Sequence, residues 1–183
     1  VTSPLLPGGT LRARFEPRSG PDMFRQLGIG ARSCDLGDEG LYLAEELVAA
    51  DRWFGGRDPL VLGVLVLALM IAQRQGSTCL PLDPSPRGHL RGLVAEITRL
   101  AGLDGEAPRL LRAIVKLTSM PQFDSVVGTR DQRLPLIVDG GCLYTERSRW
   151  LEERVARRLA ERLAAPAMDC AAVLADLARR PAA

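Results

Sequence analysis

The chain reads as a mainly α protein, an orthogonal-type helical bundle of about five to six helices with one small β-hairpin. Three observations lead there. A 13-residue uncharged apolar run, Leu60 to Ala72, carries no strand-like alternation and is long enough for a buried helix. On both sides of it, apolar residues return at three- to four-residue steps, the period of helices with one wet face. Near the far end, two short apolar runs flank an Asp-Gly pair, a hairpin signal.

The elements follow in order. Residues 1–37 are rich in Pro, Gly and Arg and are expected to form an irregular or poorly ordered arm. Gly28-Ile29-Gly30 lacks the third glycine of a dinucleotide loop and has no strand before it, so it reads as linker. A first helix is predicted from about Asp38 to Trp53. Leu41, Leu43, Leu47, Val48 and the pair Trp53-Phe54 supply apolar contacts, and Asp38 and Glu39 suit the positive end of the helix dipole. Gly55-Gly56 stops it. Asp58 is placed to cap the next helix and Pro59 to open it, since its missing N–H costs nothing there.

That second helix, to about Gln75, is apolar on nearly every side, which belongs in the middle of a bundle. It is too short for a membrane span, which takes about 20 apolar residues. After Gly76 comes a loop holding Pro81, Pro84 and Pro86, with Thr78 to Leu82 able to run extended. Helices are predicted over about Arg87 to Ala101 and Pro108 to Ser119, then a loop over 121–133. The hairpin occupies 134–145, with Gly141 lengthening its turn. A long helix follows, on which Trp150, Leu151, Val155, Leu159 and Leu163 form an apolar stripe; if the Trp150 ring joins hairpin to bundle, Trp150→Ala should destabilise by about a few kcal/mol. Pro166 ends it. A short helix over Met168 to Ala178 would lead onward.

Composition narrows the function. Hydrophobic residues make up 46% and charged ones 25% of the 183, and the net charge is only +2, which argues against binding nucleic acid through bulk charge. All basic residues but Lys116 are arginine. Cys34, Cys79, Cys142 and Cys170 lie far apart and His89 is the sole histidine, so zinc-ligand spacing is missing. The cysteines read as small buried hydrophobes in a reducing compartment. No nucleophile sits beside a base, and the adjacent carboxylates Asp38-Glu39, Glu45-Glu46 and Glu152-Glu153 fall on solvated helix faces. Glu153 and Arg157 there form an i,i+4 pair. Arg147, Arg154, Arg157 and Arg158 on the last long helix form a candidate contact surface, for a protein rim or for phosphate backbone, interrupted by Glu146, Glu152, Glu153 and Glu161.

Two phrases carry a resemblance. Pro135, Leu136, Ile137, Val138, Asp139, Gly140, Leu143, Tyr144 and Trp150 match a P-L-V-L-D-G-x-L-Y-L phrase leading into a helix with an early aromatic. Asp58, Pro59, Leu60, Gly76, Cys79, Leu80 and Leu82 match an earlier phrase, an apolar helix and turn leading to a Cys-Leu-x-Leu-like segment. In this order and separation they resemble the N-terminal domain of the RecD family, the alpha subunit of exodeoxyribonuclease V, over roughly residues 41–165. The resemblance implies a non-catalytic domain, 38–165, that docks the alpha subunit onto the gamma (RecC-like) subunit of RecBCD. That complex is a cytoplasmic ATP-dependent helicase and nuclease that acts on double-stranded DNA ends in recombinational repair. The parent subunit is a 5′-to-3′ helicase. No Walker A loop occurs here, so ATP and Mg are expected only in a motor domain beyond 166–183, and the chain is expected to be an excerpt. The segment itself implies no catalytic, cofactor or metal residue. Two alternatives remain: a free-standing helical DNA-binding module using 146–163, or a small helical enzyme built around His89.

Overall fold

A computed structural model describes residues 22–53, 59–119, 126–132 and 134–164. The fold is mainly α. Six α-helices run through the described residues: α1 (Asp22–Ser33), α2 (Asp38–Trp53), α3 (Pro59–Arg74), α4 (His89–Leu100), α5 (Ala107–Ser119) and α6 (Glu146–Ala164). Four short strands accompany them: β1 (Leu80–Pro81), β2 (Val127–Thr129), β3 (Leu136–Asp139) and β4 (Cys142–Thr145). The chain forms two compact units, Val1–Arg149 and Trp150–Ala183.

The first unit is built around α3. Every residue from Val61 to Leu69 is buried, as are Ile71 and Ala72. A helix apolar all round satisfies its surface only if neighbours cover every side. Here α1, α2, α4, α5 and β1 all pack against it. They contribute Leu27 and Ala31, Leu41 and Leu47, Val94 and Ile97, Leu110 and Ile114, and Leu80. Within α4, the buried Thr98 hydroxyl donates to the Val94 carbonyl at 2.8 Å, so the core takes in no orphaned polar group there.

The expected N-terminal arm is corrected over its last third, where α1 is a helix with Leu27 and Ala31 fully buried. Glycine content suggested a linker because glycine is a poor helix former. Gly30 instead serves close packing. A Cβ added there would lie 2.2 Å from the Ile97 carbonyl oxygen, so only glycine lets α1 and α4 come this near.

The hairpin sits inside a four-stranded sheet of order β1-β4-β3-β2. β3 and β4 pair antiparallel with Asp139 opposite Cys142, which leaves Gly140 and Gly141 as the two loop residues. Their φ values are +56° and +75°, the pair of positive angles a type I′ turn requires. Gly141 therefore does not lengthen an Asp-Gly turn; the turn is Gly-Gly, and Asp139 is the last strand residue. β1 pairs with β4 within the stretch expected to run extended.

β2 was expected to be loop. It pairs parallel with β3, Val127 against Leu136, with a return of only a few residues. A three-residue strand carries too few alternations to register in sequence. The return is closed by Gln132, whose Oε1 accepts from the Thr129 N–H at 2.9 Å and whose own N–H donates to the Thr129 carbonyl at 3.0 Å.

The Asp58 cap, Phe54 and the helix expected at Met168 to Ala178 lie outside the described residues. No helix among those described is long and apolar enough to cross a membrane.

Candidate functional site

The last helix begins on a fixed root. Thr145 ends β4 and caps α6, its Oγ1 accepting from the Ser148 N–H at 3.2 Å. The Ser148 hydroxyl accepts from Gln73 Nε2 of α3 at 2.9 Å and from Thr145 Oγ1, also at 2.9 Å. The Glu146 N–H donates to the Pro135 carbonyl at 3.0 Å, tying the first turn to the start of the hairpin. Arg149 reaches back to the end of β3. Its Nε donates to Asp139 Oδ2 at 2.8 Å and a terminal nitrogen stands 2.7 Å from the same oxygen. Its guanidinium also lies 5.7 Å from the centre of the Tyr144 ring. Arg149 is 16% and Asp139 31% exposed at the side chain, so this pair is screened less than a surface bridge.

Beyond the root, the helix repeats every four residues. One row is Trp150, Arg154, Arg158 and Arg162; the next is Leu151, Val155, Leu159 and Leu163; the third is Glu152, Ala156, Ala160 and Ala164. None of the 19 helix residues is buried. Trp150 and the Leu/Val row are between 44% and 87% exposed. The Arg154 guanidinium stacks 5.1 Å above the Trp150 ring. Trp150, Arg154, Arg157, Arg158 and Glu161 line a shallow depression of about 370 Å³.

The residues singled out in sequence divide between core, turn and surface. Leu136 and Leu143 are fully buried, Tyr144 half-buried, Gly140 in the turn, and Pro135 exposed. Trp150 is 53% exposed and its ring lies against the Arg154 guanidinium. Helical periodicity marks a side that favours a partner without stating that the chain supplies one. Arg147, Arg157 and Arg158 carry no ion pair among the described residues, so the expected Glu153–Arg157 pair does not form. In sequence Asp139 reads as a turn residue, and Arg149 falls among the many arginines of the last long helix. Nothing local in sequence marks them as partners, ten residues apart.

The reactive groups stay scattered. His89 opens α4 and meets the Gln75 carboxamide oxygen at 3.3 Å. Among the described residues no three potential ligands cluster as a metal site. Cys34, Cys79 and Cys142 are half-buried rather than fully so, and Cys170 is outside the described residues. Burial, then the nearby Glu96 carboxylate, raises the Cys34 pKa above its usual value despite Arg99. That keeps the thiol protonated and a poor nucleophile. Burial likewise raises Glu45, helped by Glu46, with Arg32 opposing.

Compared with known proteins, the chain matches no family model. It matches no curated sequence and no solved structure.

Proposed function

We propose that the chain is a non-catalytic docking domain of the kind that precedes the motor of a RecD-like alpha subunit, placing that subunit on a gamma-subunit homologue. The observation that carries this reading is the last helix. An exposed row of Leu151, Val155, Leu159 and Leu163 beside an exposed Trp150 is costly to leave in water and is the composition of a protein contact. Beside it, among the described residues, no three potential metal ligands cluster and the His89 ring meets the Gln75 carboxamide. In this reading the segment contributes placement within a cytoplasmic complex acting on double-stranded DNA ends. ATP and Mg belong to a motor domain farther along the parent chain.

The test is co-expression with a gamma-subunit homologue from the same genome, followed by purification through salt. A stable one-to-one complex with no ATP turnover by the purified domain is the expected result. ATP hydrolysis that survives rigorous purification, or failure to associate with any such homologue, overturns the reading.

A second reading keeps one observation in its favour. Arg157, Arg158 and Arg162 carry no ion pair among the described residues, as phosphate-contacting arginines would before DNA arrives. A free-standing DNA-binding module would show affinity falling steeply with salt.

A further inference from the structure

We infer that α6 docks by its Leu151, Val155, Leu159 and Leu163 row into an apolar groove on another protein, and that this groove carries carboxylates along the rim facing Arg154, Arg158 and Arg162. The inference rests on the docking reading above and adds the chemistry of the occupant.

The four-residue repeat sets the geometry. Each apolar side chain is preceded by a member of the Trp/Arg row and followed by a member of the Glu/Ala row. The apolar ridge is thus bounded on one side by long cations and on the other by Ala156, Ala160 and Ala164. The alanines widen the apolar face and let a partner's backbone come close. The arginines make the opposite rim. A ridge formed by i, i+4 spacing packs against a like ridge at a crossing angle of about −50°, so a helical groove wall would lie at that angle to α6.

Charge selects among occupants. Docking along the apolar row draws the flanking guanidinium groups partly out of water. That is costly unless carboxylates meet them. Arg158 and Arg162 have no carboxylate partner among the described residues, and Arg154 is engaged only with the Trp150 ring. A second copy of this helix cannot supply the carboxylates. Antiparallel, the arginine rows would face each other; parallel, they would face the alanine row, where Glu152 is the only acid. Duplex DNA would satisfy the arginines and leave four apolar side chains in water. A lipid surface would take the apolar row but favours cations on both flanks, and Glu152 lies on one of them. A groove that is apolar at its floor and acidic along one rim satisfies both rows. Trp150, at the head of the cation row, is the aromatic anchor such contacts favour.

The test uses the full chain with the gamma-subunit homologue as the probe. Val155→Asp with Leu159→Asp should weaken the complex by about 100-fold or more, while the melting temperature stays that of the parent. Arg158→Glu with Arg162→Glu should weaken it by about 10-fold or more, with recovery when carboxylates on the partner's rim are changed to Lys. Arg91→Glu, on the exposed side of α4, should leave binding unchanged. The outcomes separate cleanly. No complex with the parent chain overturns the docking reading and this inference together. A complex that survives the paired aspartates overturns this inference alone. A complex lost to the aspartates but indifferent to charge reversal overturns the acidic rim. Tighter binding to a 20-base-pair duplex, to phosphatidylserine vesicles, or of the chain to itself, abolished by the same variants, overturns it in favour of that occupant.

Discussion

Helices α3 and α6 are both rich in leucine, and they do opposite things. In α3, 11 of 16 residues are buried. In α6, none of 19 is. A leucine in the first removes apolar surface from water as the chain folds. A leucine in the second leaves that surface exposed. Burial separates the two helices, and the residue type alone does not.

The comparison breaks most sharply at paired positions. Leu65 is fully buried and Leu159 is 54% exposed. Leu65→Ala should lower unfolding free energy by about 2–5 kcal/mol in a denaturant titration, through lost transfer energy and the cavity left behind. Leu159→Ala and Trp150→Ala should each change it by about 0.5 kcal/mol or less. If all three cost the same, α6 is part of the core and the contrast fails.

Next in size is the α1–α4 crossing. Gly30→Ala should destabilise by about 1–3 kcal/mol, because the new methyl meets the Ile97 carbonyl and backbone cannot yield as a side-chain tip can. Gly92→Ala, with open space around the added carbon, should instead stabilise α4 by about 0.5–1 kcal/mol. Equal effects at the two positions would remove the argument for close approach.

The root of α6 sharpens the comparison from the other side. Arg149→Ala removes a partly buried partner of Asp139 and should cost about 1–2 kcal/mol, between the values for surface and buried pairs. Arg158→Ala should cost nothing measurable in the isolated chain. The smallest effect concerns pH. Burial raises the pKa of Glu45 in the folded chain. The folded state therefore holds that proton more tightly than the unfolded state. Its favourable contribution is complete below the unfolded pKa and is lost as pH rises through the folded value. Glu45→Gln should raise stability at pH 7 by about 0.3 kcal/mol, a figure kept small because solvent screens the half-buried carboxyl. At pH 3 it should change nothing.

Much of the fold was legible in sequence because burial leaves a period. The span of α2, the buried α3, the exposed-and-apolar alternation of α4 and α5, and the hairpin strands all follow from spacing and from turn chemistry. α1 was hidden because its glycines mimic a linker, and their use appears only where Gly30 meets the Ile97 carbonyl. β2 was hidden because three residues hold no period. At the candidate site, the apolar row and the arginines were legible, but their grouping was not. Trp150 reads with Leu151 as a stripe, yet its ring is stacked under Arg154.

Sequence by itself determined that the segments from α2 to α6 become helices, that α3 must be enclosed, and that β3 and β4 form a hairpin, because these depend on local torsion preferences and on apolar spacing along the chain. Only the tertiary structure decided that α1 belongs to the core and that Asp139 holds Arg149. Those outcomes depend on which surfaces meet across distant segments, and no residue carries that information in its neighbours.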